Sequence, residues 1–96
     1  MLFTPVAVRN FHKVKKKLPP TLRAEIDRQV DLICEDPSIG EQKTGDLRNV
    51  FVHKFSLAGQ LYLLAYCISR SNTTVTLLAL GGHENFYRDL KRYLKS

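Results

Sequence analysis

Two histidines, two lysines and a tyrosine are the residues of this 96-residue chain best suited to chemistry. His53 and Lys54 are adjacent, and His83, Tyr87 and Lys91 recur at intervals of four. Residues four apart lie on one face of an α-helix, so the second set predicts one helical face. Histidine titrates near neutral pH, and two histidines beside one phosphodiester could share the removal and the donation of a proton. That arrangement would suit RNA cleavage without a metal.

In such a reaction one group takes the proton of a 2′-hydroxyl and the other protonates the leaving 5′-oxygen. A lysine or arginine stabilises the negative charge that builds up on the phosphate, and Tyr87 could stack on a base or hydrogen-bond a phosphate. If the two histidines do not reach one phosphodiester, one of them must work with Lys54 or Tyr87. Structural alternatives stay open: His83 as a helix cap, His53 as a hydrogen-bonded histidine at the core, and Tyr87 as a packing residue.

Three β-like runs in the second half of the chain must position His53 and Lys54. Short turns separate the runs, which predicts antiparallel neighbours. The middle run is apolar on both faces and is therefore predicted to be the central strand. In the first run, alternation places Lys54 on one side and His53 on the other. The three runs are Val50 to Phe55, Leu61 to Ser69 and Thr74 to Leu80.

A lysine-rich amphipathic segment near the N-terminus predicts the first helix. Thr4-Pro5 is a helix-start signal, because threonine can cap a helix and proline is tolerated in the first turn. A competing interpretation makes residues 3–8 an edge strand and begins the helix at Asn10. The apolar stripe that supports the helix consists of Ala7, Phe11, Val14 and Leu18.

Two further helices follow from the same kind of pattern. Pro19-Pro20 ends the first helix, and Thr21 can cap a second one that stops at residues 36–40. After Gly81-Gly82 a last helix is predicted from about Asn85. The order is α-α-β-β-β-α, which predicts one α+β domain over residues 1–96. We expect two layers: an N-terminal helical hairpin packed on a small antiparallel β-sheet, with a C-terminal helix.

The net charge of +6 is distributed unevenly along the chain. Residues 1–28 carry a net +5, residues 29–50 a net −3 and residues 51–96 a net +4. A calculated pI near 9.6 is typical of a nucleic-acid binder or of a protein with an acidic partner. A solvated basic surface without a specific partner is the structural alternative.

Composition also indicates the cellular compartment of the protein and whether it binds a metal or a cofactor. No apolar run approaches the length of a membrane span, and no secretory signal begins the chain, so we expect a cytoplasmic protein. Cys34 and Cys67 lack the spacing of a redox pair and lie among apolar residues, which favours reduced thiols. We predict no metal and no cofactor, because three scattered histidines and two separated cysteines do not make a zinc site.

Five segments together resemble the RelE/ParE superfamily of type II toxin–antitoxin toxins. The resemblance spans nearly the whole chain and depends on the order and spacing of these segments. They are residues 36–40 (Asp-Pro-Ser-Ile-Gly), residues 43–48 (Lys-Thr-Gly-Asp-Leu-Arg), the strand at 50–55, residues 62–66 (Tyr-Leu-Leu-Ala-Tyr) and residues 82–90 (Gly-His-Glu-Asn-Phe-Tyr-Arg-Asp-Leu).

The resemblance implies a toxin that is neutralised by a cognate antitoxin. RelE-like members are ribosome-dependent endoribonucleases that cut messenger RNA, whereas ParE-like members inhibit DNA gyrase without nuclease chemistry. A binding module that is not toxic is a third possibility. We expect an endoribonuclease that acts on mRNA at the ribosome, with gyrase inhibition as the alternative.

The same resemblance assigns roles to individual residues. His83 and Tyr87 match the histidine and aromatic residue that end the YafQ-type nucleases, where the histidine is catalytic. Lys54, Lys43 and Arg48 match basic residues that hold RNA in that branch. With the residues suggested by spacing, the predicted catalytic set is His83, Tyr87 and His53, and the predicted RNA-binding set is Lys54, Lys43, Arg48 and Lys91.

Overall fold

A five-stranded sheet forms the centre of the computed structural model, which describes residues 2–45, 49–83 and 86–95. Its strand order is β1-β5-β4-β3-β2. The α+β fold class is confirmed. The strands are β1 (Thr4–Ala7), β2 (Glu41–Gln42), β3 (Phe51–Leu57), β4 (Gln60–Ser69) and β5 (Thr74–Gly82), and the helices are α1 (Arg9–Lys16), α2 (Pro20–Glu35) and α3 (Phe86–Lys95), with a 3-10 turn at Pro37–Ile39.

The three predicted β-runs form the antiparallel middle of the sheet. Strand β4 pairs with β3 on one side and β5 on the other, so the apolar run is confirmed as the central strand. The register shifts between Ala65 and Tyr66, which makes Leu78 an extra residue on β5. The carbonyl of Leu78 accepts a hydrogen bond of 3.3 Å from the side-chain amide of Asn10, which connects this bulge to α1.

The prediction that a helix begins at Thr4-Pro5 is wrong, and the competing interpretation agrees with the structure. Thr4–Ala7 is an edge strand that runs parallel to β5, with Thr4 opposite Thr74 and Ala7 opposite Leu77. The N–H of Val8 donates to the carbonyl of Leu77 at 3.1 Å, and α1 begins at the next residue. Proline lacks an N–H but is tolerated in an edge strand, so Thr-Pro is compatible with both structures.

Helices cover both faces of the sheet, which gives three layers where two were expected. Side chains of α1 and α2, including Phe11 and Ile26, share a core with Phe55, Leu64 and Tyr66. On the opposite face, α3 packs its own apolar stripe into a second core. That core includes Phe86 and Leu90 from α3 together with Val52, Leu63 and Ala65 from the sheet.

Other predictions concern the start of the last helix, the two cysteine thiols and membrane-spanning segments. The predicted start of the last helix, Asn85, lies outside the described residues, and the helix is described from Phe86. Cys34 and Cys67 are both free thiols, and burial raises the pKa of each. None of the helices in the described ranges has the length and apolar character required to cross a membrane.

Candidate functional site

Three elements converge on the α3 side of the sheet at its β2 edge. The ammonium of Lys43 lies 5.0 Å from the centre of the Tyr87 ring, which joins the end of β2 to the first turn of α3. A cation within about 6 Å of an aromatic centre is attracted by the ring. We call this group, formed by Glu41, Lys43, Lys54 and Tyr87, the Lys43 patch.

Lys43 is held from two directions. Its backbone N–H donates to the carbonyl of Val50 at 2.9 Å, and its side chain forms an ion pair with Glu41. The hydrogen bond with Glu41, followed by the interaction with Tyr87, raises the pKa of the Lys43 ammonium. Lys43 therefore stays charged at neutral pH, which suits a group that binds phosphate.

Lys54 contributes the second positive charge of the patch. It projects from β3 on the same face as Val52, in the row that crosses the sheet through Leu63 to Gly81. Its side chain is exposed. The hydrogen bond from Lys43, and to a smaller extent the charges of Lys43 and Lys54, lower the pKa of Glu41. Two cations therefore flank one carboxylate on an open surface.

His53 points to the opposite face of the sheet. Its ring lies 2.7 Å from the amide oxygen of Gln29 on α2 and stacks on Phe55 at a ring separation of 5.5 Å. The Gln29 amide nitrogen in turn donates to Glu25 at 2.7 Å, which orients the amide oxygen towards His53. Burial lowers the pKa of His53.

The structure does not bring His53 together with His83. His53 is opposite Leu64, which is opposite Leu80, and His83 lies three residues beyond Leu80. The separation is thus about 10 Å across two strand spacings and about 10 Å along the strand direction. Since the His53 ring also turns towards α2, the expectation that both rings reach one phosphodiester is wrong.

The remaining predicted site residues, His83, Lys91 and Arg48, lie in different parts of the chain. His83 is exposed, and its carbonyl accepts from the N–H of Phe86 at 3.4 Å, so its backbone lies at the N-terminal end of α3. Lys91 is exposed one turn after Tyr87 on the same helix. Arg48 lies outside the described residues.

Sequence patterns did not single out Glu41 and Tyr66, two residues that complete or position the patch. Glu41 and Lys43 are two residues apart in extended backbone, which places them on one face, and this spacing was the available signal. Tyr66 is buried in β4, where its hydroxyl donates to the carbonyl of Pro37 at 2.5 Å and accepts from the N–H of Gly40 at 3.0 Å. These bonds hold the segment that leads into β2.

The patch can bind an anion and move protons. Two ammonium groups can neutralise phosphate oxygens, and the Tyr87 ring offers a surface and a hydroxyl beside one of them. In the described part of the chain, no three His, Cys, Asp or Glu side chains come close enough together to hold a metal ion.

Known proteins resemble this chain in sequence and in fold. The family model described as ParE-like toxin of type II bacterial toxin–antitoxin system matches residues 6–91. No curated protein matches the chain closely enough to count as a relative.

Among solved structures, a doubly substituted Escherichia coli toxin RelE in the free state has 19% identity and a TM-score of 0.75, covering 98% of this chain and 99% of that one. The toxin–antitoxin complex RelBE2 from Mycobacterium tuberculosis has 24% identity and a TM-score of 0.73, covering 86% and 100%. The intact E. coli RelBE complex has 21% identity and a TM-score of 0.70, covering 85% and 98%. At these identities the likeness concerns the fold. Because the family model spans most of the sequence, the superfamily predicted from the motifs is confirmed, and the chain belongs to the ParE-like toxins of type II bacterial toxin–antitoxin systems.

Proposed function

We propose that this toxin is an endoribonuclease that cleaves messenger RNA at the ribosome and so blocks translation. The observation that carries the proposal is the convergence of Lys43, Lys54 and Tyr87 on one face of the sheet, with His83 at the N-terminal end of the helix that carries Tyr87. Such a surface offers phosphate-binding cations and proton-transfer groups together. The chemistry uses side chains alone, with neither a metal nor a cofactor.

In the proposed step the 2′-oxygen of a nucleotide attacks the adjacent phosphorus, and the bond from phosphorus to the 5′-oxygen breaks. His83 accepts the proton of the 2′-hydroxyl. Tyr87 donates a proton to the leaving 5′-oxygen, and the ammonium of Lys43 faces the phenolate that remains. The products are a 2′,3′-cyclic phosphate and a free 5′-hydroxyl, so atoms and protons balance.

The lysines act on the charge of the transition state. As the 2′-oxygen bonds to phosphorus, negative charge accumulates on the two non-bridging oxygens, and Lys43 and Lys54 neutralise it. Lys91 and Arg48 are assigned to binding RNA outside this centre. His53, on the face towards α2, is assigned a structural role in place of the catalytic role predicted from the sequence.

We further infer that a cognate antitoxin neutralises the toxin and that the toxin acts in the cytoplasm, where ribosomes are found. The family to which residues 6–91 belong is defined by toxin–antitoxin systems. RelE, which shares this fold, has been solved in complex with the antitoxin RelB. The toxin domain is assigned to residues 1–96.

The first test is induction of the wild-type chain and of His83→Ala in cells that lack the antitoxin. Incorporation of labelled amino acids and of labelled thymidine is followed in parallel. We expect wild-type induction to stop amino-acid incorporation first, and His83→Ala to remove that effect. Ser71→Ala, in the exposed turn between β4 and β5, is the matched control and should behave as wild type. Circular dichroism and thermal unfolding of the purified variants establish that they are folded.

Inhibition of DNA gyrase is the competing function, and the ParE-like character of the matching family model is the observation that favours it. Early loss of thymidine incorporation that persists in His83→Ala would select this function and would leave His83 as a helix-terminal residue. Normal growth on expression of a folded wild-type chain would exclude both activities and indicate a binding module without toxicity.

A further inference from the structure

A basic trough runs along the outer side of α1, on the face of the sheet that does not carry the Lys43 patch. Its volume is about 920 Å³. A smaller adjoining trough of about 180 Å³ continues it towards α2. The first is lined by Ala7, Arg9, Asn10, His12, Lys13 and Lys16, and the second by His12, Lys15, Lys16 and Arg23. We call both together the α1 trough.

Helical spacing aligns the cations of this surface. Arg9, Lys13 and Lys16 are separated by four and three residues, so their side chains leave α1 on one face and all three are exposed. Phe11 is buried against the sheet and fixes the opposite side of α1. The row of positive charge is therefore displayed on a helix that is anchored in the core.

The charges of the row lack carboxylate partners within the described ranges. There, the lysine of α1 that forms an ion pair is Lys15, which pairs with Asp27 on α2, and no ion pair involves Arg9, Lys13 or Lys16. Uncompensated like charges repel one another, and an anionic ligand relieves that repulsion.

The lining also indicates which anionic ligand fits. An amphipathic peptide helix binds by apolar anchors that enter apolar pockets. The α1 trough offers a single small apolar side chain, Ala7, among cations, a histidine and an amide. A sugar–phosphate backbone needs only donors and positive charge, and so matches the lining.

We propose that the α1 trough binds the phosphate backbone of folded RNA and anchors the toxin there, apart from the site of cleavage. This inference rests on the proposed endoribonuclease function and adds a second RNA contact to it. The trough lies beside β1, whereas the Lys43 patch lies at the β2 edge on the other face of the sheet. Contacts on two faces suit a folded RNA that presents more than one strand.

The test compares RNA binding by the purified full chain carrying Lys13→Gln and Lys16→Gln with binding by a control carrying Lys17→Gln and Arg70→Gln. Both variants lose two positive charges, but the control residues lie outside the trough. The probe is a fluorescent RNA hairpin, titrated at several salt concentrations, with a single strand of equal length in parallel. For a double-stranded probe, the slope of log K against log salt falls by about 0.9 for every phosphate that the protein no longer neutralises.

We expect the trough variant to bind the hairpin at least about tenfold more weakly and to lower the salt slope by about 1.8, the value for two phosphates. The control should stay close to wild type in both quantities. Equal effects of the two variants on hairpin binding would overturn the proposal. Unchanged RNA affinity with weakened binding of the antitoxin would also overturn it and assign the trough to the antitoxin.

The two proposals fail in different ways. If wild type binds the hairpin through Lys13 and Lys16 but cleaves no ribosome-bound mRNA, the α1 trough stands and the endoribonuclease function falls. If wild type cleaves ribosome-bound mRNA but the trough variant binds the hairpin as the control does, the endoribonuclease function stands and the α1 trough proposal falls. Thermal unfolding midpoints of the variants exclude misfolding as the cause of either result.

Discussion

The backbone N–H of Gly40 donates a hydrogen bond of 3.0 Å to the hydroxyl of Tyr66, 26 residues further along the chain. The same hydroxyl donates to the carbonyl of Pro37, so both of its bonds go to the segment that follows α2. That segment leads directly into β2 and to Lys43. A buried phenol in the central strand therefore helps to set the position of the Lys43 patch on the other face of the sheet.

Gly40→Ala should disturb this contact. A Cβ at residue 40 would overlap the Tyr66 hydroxyl oxygen and lie 2.9 Å from the ring carbon that carries it. Either the ring or the segment must move, and overpacking of this kind costs about 1–3 kcal/mol. Urea unfolding should show that loss of stability. Gly82→Ala is the matched control, because a Cβ there meets nothing within 4 Å, and equal stability of the two variants would contradict the argument.

Alkaline pH should weaken the fold through Tyr66. Burial raises the pKa of its hydroxyl from 10.0 to about 12. A group whose pKa is raised on folding contributes stability below its unfolded pKa and loses that contribution as pH rises through the folded value. Each unit by which the folded pKa exceeds the unfolded pKa corresponds to about 1.4 kcal/mol of unfolding free energy. The loss of stability between pH 10 and pH 12 is therefore on the order of 2 to 3 kcal/mol.

The measurement is the free energy of unfolding of wild type and Tyr66→Phe at pH 8 and at pH 11.5. The variant should be less stable at pH 8, since it leaves the Gly40 N–H and the Pro37 carbonyl without their partner. It should lose less stability than wild type on going to pH 11.5. A parallel decline in both proteins would show that other groups control the alkaline transition.

Some of these features could be predicted from the sequence and others could not, for physical reasons. Alternation correctly separated His53 from Lys54, because side chains on a strand alternate between the two faces. The pattern could not show which face receives α3, because β4 is apolar on both. Thr4–Ala7 was ambiguous, since the parallel partner that makes it a strand, β5, lies about 70 residues away. Strand β2 has two residues, too few for any periodicity.

Lys43→Met should remove charge stabilisation from the proposed reaction while leaving the Tyr87 ring in place. Loss of one donor that stabilises transition-state charge typically lowers kcat by 10²–10³-fold, and we expect a loss of about that size in cleavage of ribosome-bound mRNA. Lys43→Arg, which keeps the charge over the ring, should retain more activity. Lys17→Met is the control for the removal of an exposed lysine. Full activity in Lys43→Met would show that Lys43 has no role in the cleavage reaction.

Glu41→Gln should strengthen RNA binding. The carboxylate of Glu41 pairs with Lys43, so an incoming phosphate competes with it for the same ammonium. Exposed ion pairs contribute little to stability, so the substitution should leave the stability of the fold close to that of wild type. We expect RNA affinity to rise about two- to fivefold at low salt. Glu35→Gln, an exposed acid at the end of α2, controls for net charge, and an equal gain there would refute a local role of Glu41.

His53→Gln should change the pH dependence of stability and leave cleavage nearly intact. Burial lowers the pKa of His53 in the folded chain below its ordinary value of 6.5. As pH falls below about 6.5, the unfolded chain therefore takes up a proton that the folded chain does not, and wild type loses stability. The Gln29 amide, held by Glu25, provides the neutral ring with a partner in the folded state.

Unfolding of wild type and His53→Gln at pH 7.5 and pH 5.5 measures this effect, because the two proteins differ only at residue 53 and the contributions of all other groups cancel in the comparison. Wild type should lose more stability than the variant. Cleavage by His53→Gln should stay within about threefold of wild type, because the ring faces α2 and cannot reach a phosphate bound at the Lys43 patch. A loss of cleavage as large as that in His83→Ala, in a variant that remains folded, would return His53 to the catalytic group.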